Sequence, residues 1–200
     1  MNTTTTPIHW SENIIIADAD FVDKVAFNLI VNFERMLGRR IPQADFSQWA
    51  VDIALDGRLR PGDEHETQVV LLHDKSHSRM ENFKPSDYAT ELNAKAFKDA
   101  NLGEFIVNSI ATGGPSGDST SVMLDLLHTI LNHDEVKRIM VIPSDDDFTY
   151  ETLRNALRDA DEEKHITLFA MQPLEGGNFR QEILGYSLMN ALGIRADELK

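Results

Sequence analysis

From Asn13 onward, short runs of Ile, Val, Leu and Phe alternate with longer stretches in which apolar residues recur every three or four positions. The runs at 14–17, 68–72, 104–110, 138–142 and 165–170 lack a polar alternation, the pattern of strands buried on both faces of a parallel sheet. Between them, Val25, Leu29, Phe33 and Met36 mark a helix that stops at Gly38. Further helices are predicted over 44–55, closed by Gly57, and over 86–102, entered from Pro85 and closed by Gly103. The spacing of Val122, Leu126, Leu127 and Ile130 predicts a fourth helix, behind the glycine-rich turn at 113–117. A fifth covers 148–160 with Thr149 as its N-cap, and a last one covers 179–192. Loops fall at 58–67 and 174–178. Strands alternating with helices in this way predict an α/β domain of three layers, α/β/α, around a mostly parallel five-stranded sheet.

The chain has 200 residues, of which 42% are hydrophobic, enough for a single domain over 13–200 behind a polar start at 1–12 expected to fray. It contains no cysteine, which excludes thiolate zinc sites, iron–sulfur clusters, disulfides and cysteine nucleophiles. No apolar run approaches the ~20 residues of a membrane span, and MNTTTTPIHW has neither the basic start nor the apolar stretch of a signal peptide, so a cytoplasmic protein without a membrane partner is expected. With 33 acidic against 19 basic residues the formal charge is −14, unlike a general binder of nucleic-acid backbones. The basic residues crowd the first half, from Arg35, Arg39 and Arg40 to Arg79 and Lys84. This is first of all a solvated face, but Arg39 and Arg40 are candidates for guiding a phosphate chain locally.

Ligands of an open parallel sheet bind beyond the carboxyl ends of its strands, and here those ends are acidic. The first predicted strand delivers Asp18 and Asp20, the second His73 and Asp74, and the fourth Ser144, Asp145, Asp146 and Asp147; Asp118 lies in the glycine-rich turn and Asp125 two turns into the next helix. Like charges ~4 Å apart at intermediate dielectric repel by about 4 kcal/mol. A hard divalent cation, Mg²⁺ or Mn²⁺, would offset that and is suited to all-oxygen ligands. For Asp146, directly before Asp147, Phe148 and Thr149, helix capping or plain solvation is preferred over ligation.

The stretch VIPSDDDFTYETL resembles a segment of NYN domains, relatives of PIN nucleases, in which a hydrophobic strand runs into a Ser-Gly-Asp-x-Asp-Phe pattern and a helix. Ser144 falls on the family's glycine, Asp145 and Asp147 on its two aspartates, and Phe148 on its phenylalanine. IIIADADF resembles the family's first strand, which places Asp18 as a metal-binding aspartate, and GPSGDSTSVMLDLL resembles its middle acidic pair, with Asp125 in register and Asp118 one residue out. The resemblance spans residues 13–171 and implies a PIN-like fold in which Asp18, Asp125, Asp145 and Asp147 hold Mg²⁺ or Mn²⁺ and hydrolyse RNA, with Asp118 and Asp20 as further ligands and Ser144 at the substrate. Asp20 and Phe21 stand where the family has asparagine, and its lysine is missing. These departures support an alternative, a noncatalytic interaction module of the same fold, for which a homo-oligomer is one expected form. In either case the chain should bind RNA poorly without metal.

Other constellations are weaker. His73 and His77 lack a third zinc ligand and read as surface histidines, and His128 and His133 suit a helix C-terminus. Gly113, Gly114 and Gly117 are not followed by the Lys-Ser/Thr of a phosphate loop, and Ser116 and Ser119 lack a nucleophile-elbow pattern.

Overall fold

Ile14, Ile15 and Ile16 lie at the centre of the sheet, on a strand buried along its whole length: β1 (Asn13–Asp18). It pairs in parallel with β3 (Glu66–Asp74) on one side and β7 (Arg138–Ile142) on the other, with Ile15 level with Val69 and Met140. The computed structural model describes residues 9–62, 64–114 and 118–200, and only the backbone of Asp147 and Phe148. Among the described residues the main sheet has seven strands rather than five. β6 (Gly103–Thr112) pairs with β3, and β8 (His165–Ala170) and β9 (Arg180–Ile183) follow β7, all in parallel. β5 (Lys95–Asp99) closes one edge antiparallel to β6. The spatial order is β5-β6-β3-β1-β7-β8-β9. A second, two-stranded sheet joins β2 (Ala44–Asp45) to β4 (Phe83–Lys84).

Period-2 side-chain alternation divides the core between the two faces. Ile15, Ala17, Val69, Leu71, Met140 and Ile142 pack with α1 (Ala19–Leu37), α2 (Phe46–Asp56) and α5 (Leu184–Ala191). Ile14, Ile16, Val70, Leu72, Ile139 and Val141 pack with α3 (Ser119–Leu131) and α4 (Asp147–Leu157). The expected three layers are present, with helices on both faces of a mostly parallel sheet. Among the described residues, no helix is long and apolar enough to cross a membrane.

Two predicted helices are corrected. Only Tyr88–Leu92 of the 86–102 stretch makes a helical turn; Ala94 then takes φ 58°, and the chain extends into β5, where Phe97 stacks on Phe105 at 4.9 Å. The helix-favouring Ala and Lys residues of this stretch are overruled by pairing with β6. The 179–192 stretch spends Arg180–Ile183 completing the sheet before α5 begins. The N-cap of α4 is Asp146 rather than Thr149, whose N–H donates to Asp146 Oδ1 at 2.8 Å. The polar start also ends earlier than expected: Trp10 is buried in the α3/α4-side core, and Asn13 Nδ2 donates to the Glu66 carbonyl at 3.1 Å. The threonines of that start lie outside the described residues.

The segment between β3 and β5 folds over the α1/α2 face. Phe83 meets Phe46 and Trp49 edge-on at 6.3 and 5.7 Å. Asp23 on α1 accepts from the backbone N–H groups of Glu81 and Asn82. His73, expected at the surface, is instead buried and stacked on Tyr88 with centroids 3.7 Å apart.

Candidate functional site

Taking only the parallel strands in chain order, the sheet reads 3-2-1-4-5-6, and the direction of winding reverses between β1 and β7. The two chain segments leaving those strands diverge to opposite faces, which opens a crevice at their carboxyl ends. A cleft of about 580 Å³ occupies that place. Its walls include Asp18 from the end of β1, Thr112 and Gly113 from the end of β6, Asp118 and Ser119 from the start of α3, and Ser144, Asp145 and Asp146 from the end of β7.

Three helices begin at this cleft, and each is capped by one of its aspartates. Asp18 Oδ1 accepts from Phe21 N at 3.1 Å, Asp118 Oδ1 from Ser121 N at 2.9 Å, and Asp146 Oδ1 from Thr149 N at 2.8 Å. The caps satisfy N–H groups that would otherwise be orphaned at the starts of α1, α3 and α4. The three helix dipoles also bring partial positive charge to the same cleft, a setting favourable to anions.

The carboxylates differ in chemical state. Asp18 is only 9% exposed, and burial, reinforced by the nearby charges of Asp20 and Asp146, pushes its pKa from 3.8 up to about 6 against the hydrogen bond from Phe21 N. Burial also pushes Asp146 up, but hydrogen bonds from the Thr149 hydroxyl and N–H outweigh it and hold this carboxyl below its ordinary value. Both Asp146 oxygens are thereby engaged, as the capping reading expects. Asp20 is committed elsewhere: Oδ2 accepts from Asp74 N at 2.7 Å, and Oδ1 meets His77 Nδ1 at 2.9 Å. It pins the chain after β3 to the start of α1 rather than standing free as a reserve ligand.

The His77–Asp20 pair carries a pH signature. The hydrogen bond to Asp20, then its charge, raises the His77 pKa above the ordinary 6.5. A folded value above the unfolded one means that the pair contributes fully below about pH 6.5 and fades as pH rises through the folded value. An NMR titration of the His77 ring should therefore give a midpoint above 6.5, returning towards it in Asp20→Asn; an unchanged midpoint in that variant would contradict the assignment.

Several expected site residues lie elsewhere. Asp125 is exposed and does not line the cleft, because it sits seven residues beyond the α3 cap, about 10 Å along the helix axis. Arg39 and Arg40 follow the far end of the 19-residue α1, roughly 28 Å of helix from Asp18. Arg39 forms a two-pronged pair with Glu198, at 2.7 and 2.9 Å, which holds that carboxyl down at about 2. Arg40 is exposed, its carbonyl accepting from Arg39 Nη1 at 3.1 Å. Asp147 opens α4, but its side chain lies outside the described residues, as do Ser116 and Gly117. Asp18, Asp20, Asp118, Asp145 and Ser144 are brought together at the cleft. Lys24, Thr112 and Thr120 also line it and escaped the sequence reading: Lys24 and Thr120 occupy neither a strand end nor a recognisable motif, and Thr112 ends a strand that runs past the predicted 104–110.

The model of a family of unknown function, DUF6621, matches residues 7–199 of the chain. The chain belongs to DUF6621. No curated protein and no solved structure matches it. The match takes in all the strands and helices of this DUF6621 domain, with both the Asp18 and the Ser144–Asp146 walls of the cleft.

Apart from the Lys24 amine and the His77 ring, whose Nδ1 is engaged by Asp20, the cleft offers carboxylate, hydroxyl and backbone oxygens, which suit Mg²⁺ or Mn²⁺ and not a soft metal. Among the described residues, no three His, Asp or Glu side chains are gathered to encage an ion. Mg²⁺ is commonly held by one or two carboxylates with the remaining positions left to water and substrate phosphate. Asp18, desolvated and disfavoured as an anion, is the carboxylate that gains most from such a cation, with Asp145 opposite it across the switch point.

Proposed function

We propose that this DUF6621 domain is a Mg²⁺- or Mn²⁺-dependent hydrolase of RNA phosphodiesters on a PIN-like fold, acting in the cytoplasm. The observation that carries the reading is the buried Asp18 at the switch point, in a cleft where three helices begin. Acids that favour a cation and helix N-termini that favour an anion meet there, the pairing a metal–phosphate substrate requires. RNA as the substrate class rests on the resemblance of the Ser144–Phe148 and Asp18 segments to NYN domains.

When bound, the metal would supply charge neutralisation at the phosphate and a more acidic water. The chain's own groups do the rest. Asp18 and Asp145 would hold the cation. The hydroxyls of Ser119, Thr120 and Ser144 are within the cleft to donate to phosphate oxygens, and Lys24 at its wall offsets phosphate charge.

Millimolar Mn²⁺ should raise the melting temperature of the wild-type chain and support cleavage of single-stranded RNA. In Asp18→Asn and Asp145→Asn the thermal response should vanish, and cleavage should fall by at least about 100-fold, since even the outer-shell partners of a metal cost 10- to 100-fold when removed. No thermal response and no cleavage by the wild type would overturn the reading. The noncatalytic interaction module would then stand, a reading favoured by the exposed position of Asp125.

A further inference from the structure

At the opposite edge of the sheet, where β7, β8 and β9 begin, a second cleft of about 600 Å³ is lined by Arg58, Arg60, Arg138, His165 and Arg180 around Leu55, Leu59 and Pro61. Four guanidinium groups thus share one concavity on a chain whose net charge is −14. We propose that this cleft binds a small anion carrying two adjacent phosphates on an apolar or aromatic body, the chemistry of a nucleoside diphosphate. The site is separate from the acidic cleft and independent of the activity proposed there.

The cations are gathered against their own interest. Arg138 opens β7 with Nη1 donating to the Gly57 carbonyl at 2.8 Å, while Nε is buried without a hydrogen-bond partner among the described residues. Burial first, then the neighbouring charges of Arg180 and Arg60, press against its protonation. Mutual repulsion among the guanidinium groups is relieved by an anion, and a planar guanidinium matches phosphate oxygens with two parallel bonds. Acids near the group include Glu12, near Arg138, Asp56, near Arg58, and Glu182, near Asp56. Four guanidinium groups, each able to give two parallel hydrogen bonds, offer more donors than one phosphate group can accept and suit two adjacent phosphates. Leu55, which is 44% exposed, and Pro61 provide an apolar surface beside the arginines for the body of the ligand.

The backbone supplies a second, independent argument. α2 ends in a Schellman turn, with Leu59 N bonded to Ala54 O at 3.0 Å and Arg58 N to Leu55 O at 3.0 Å. The residue at the left-handed position of such a turn is usually glycine, yet here it is Arg58 at φ 69°. The glycine stands one place earlier, where a Cβ on Gly57 would come within 2.5 Å of Met140 Cγ. An arginine held in a conformation that favours glycine aims its side chain into a cleft with three others, and strain of this kind gathers at ligand sites.

The test titrates the full chain with ADP and with inorganic pyrophosphate, in EDTA and at matched ionic strength, following heat of binding and melting temperature. Wild type should bind both, with ADP at least as tight as pyrophosphate. Arg58→Gly should weaken binding by at least about tenfold while melting no lower than wild type, because the turn prefers glycine. Asp56→Asn, which removes an acid beside Arg58, should tighten it severalfold at pH 7.5, and Asp18→Asn should leave it unchanged. No binding of either ligand by the wild type, or equal binding by wild type and Arg58→Gly, overturns the proposal. So does an Arg60→Gln/Arg180→Gln variant that loses affinity for single-stranded RNA while ADP fails to bind wild type, since the cleft would then be an RNA-backbone surface.

Discussion

Asp18→Asn should make the protein more stable at pH 8, by about 2 kcal/mol, while abolishing its response to Mn²⁺. Asp18 is nine-tenths buried with its pKa pushed from 3.8 up to about 6. A folded value above the unfolded one means that the ionised carboxylate destabilises the fold, fully so above about pH 6. That penalty is relieved as pH falls from 6 towards 4, because over this window the folded state takes up a proton that the unfolded state does not. A rise of two units corresponds to about 3 kcal/mol. Part of it is returned, since a carboxylate at the start of α1 contributes about 0.3–1 kcal/mol through the helix dipole. Asparagine retains the capping role, since it is as good an N-cap as aspartate. Urea denaturation of the two proteins should thus diverge at pH 8 and converge near pH 4. Equal stability at pH 8 would mean that Asp18 is not desolvated as the cleft requires. A residue that weakens the fold where it stands, yet lies at the one point where ligands of this sheet are expected, has the profile of a functional group rather than a structural one.

Trp49→Ala should cost about 3–5 kcal/mol, the largest loss expected from a single core truncation here. Trp49 is fully buried on α2 and touches Phe46 at 5.7 Å and Phe83 at 5.7 Å. Phe83 belongs to β4, so the cavity would undercut the small β2–β4 sheet and the segment that Asp20 and Asp23 tie to α1. Trp49→Phe should cost far less, because the indole N–H is buried without a hydrogen-bond partner among the described residues and its removal strands nothing. Chemical denaturation of both variants checks this, and a Phe variant as unstable as the Ala variant would contradict it.

The central strands were legible because burial on both faces removes any need for polar alternation, and each of the five runs lies within a strand. The edges were not. Phe97 is the lone large apolar residue of β5, and β9 reads Arg-Gln-Glu-Ile, so neither contains enough apolar residues to announce itself. At the site, Asp18, Asp145 and Ser144 were found by their place at strand ends, a rule of topology that needs no motif. Asp125 was drawn from the NYN resemblance, and helix geometry removes it from the cleft. Arg39 was drawn from charge clustering along the chain, which does not report which end of a helix a residue occupies. The arginine cleft went unseen for the same reason: Arg58, Arg138 and Arg180 are far apart in sequence and meet only because the end of α2 reaches the side where β7, β8 and β9 begin.

The two strands that hid from the sequence also terminate the sheet. β5 presents Lys95, Lys98 and Asp99 along one border, and the four-residue β9 presents Arg180 and Glu182 along the other. An exposed border of a parallel Ile/Val-rich sheet is a template on which another chain can add a strand and seed aggregates. Short, charged borders on both sides deny that template, so the most insoluble part of the chain is sealed by its least hydrophobic strands.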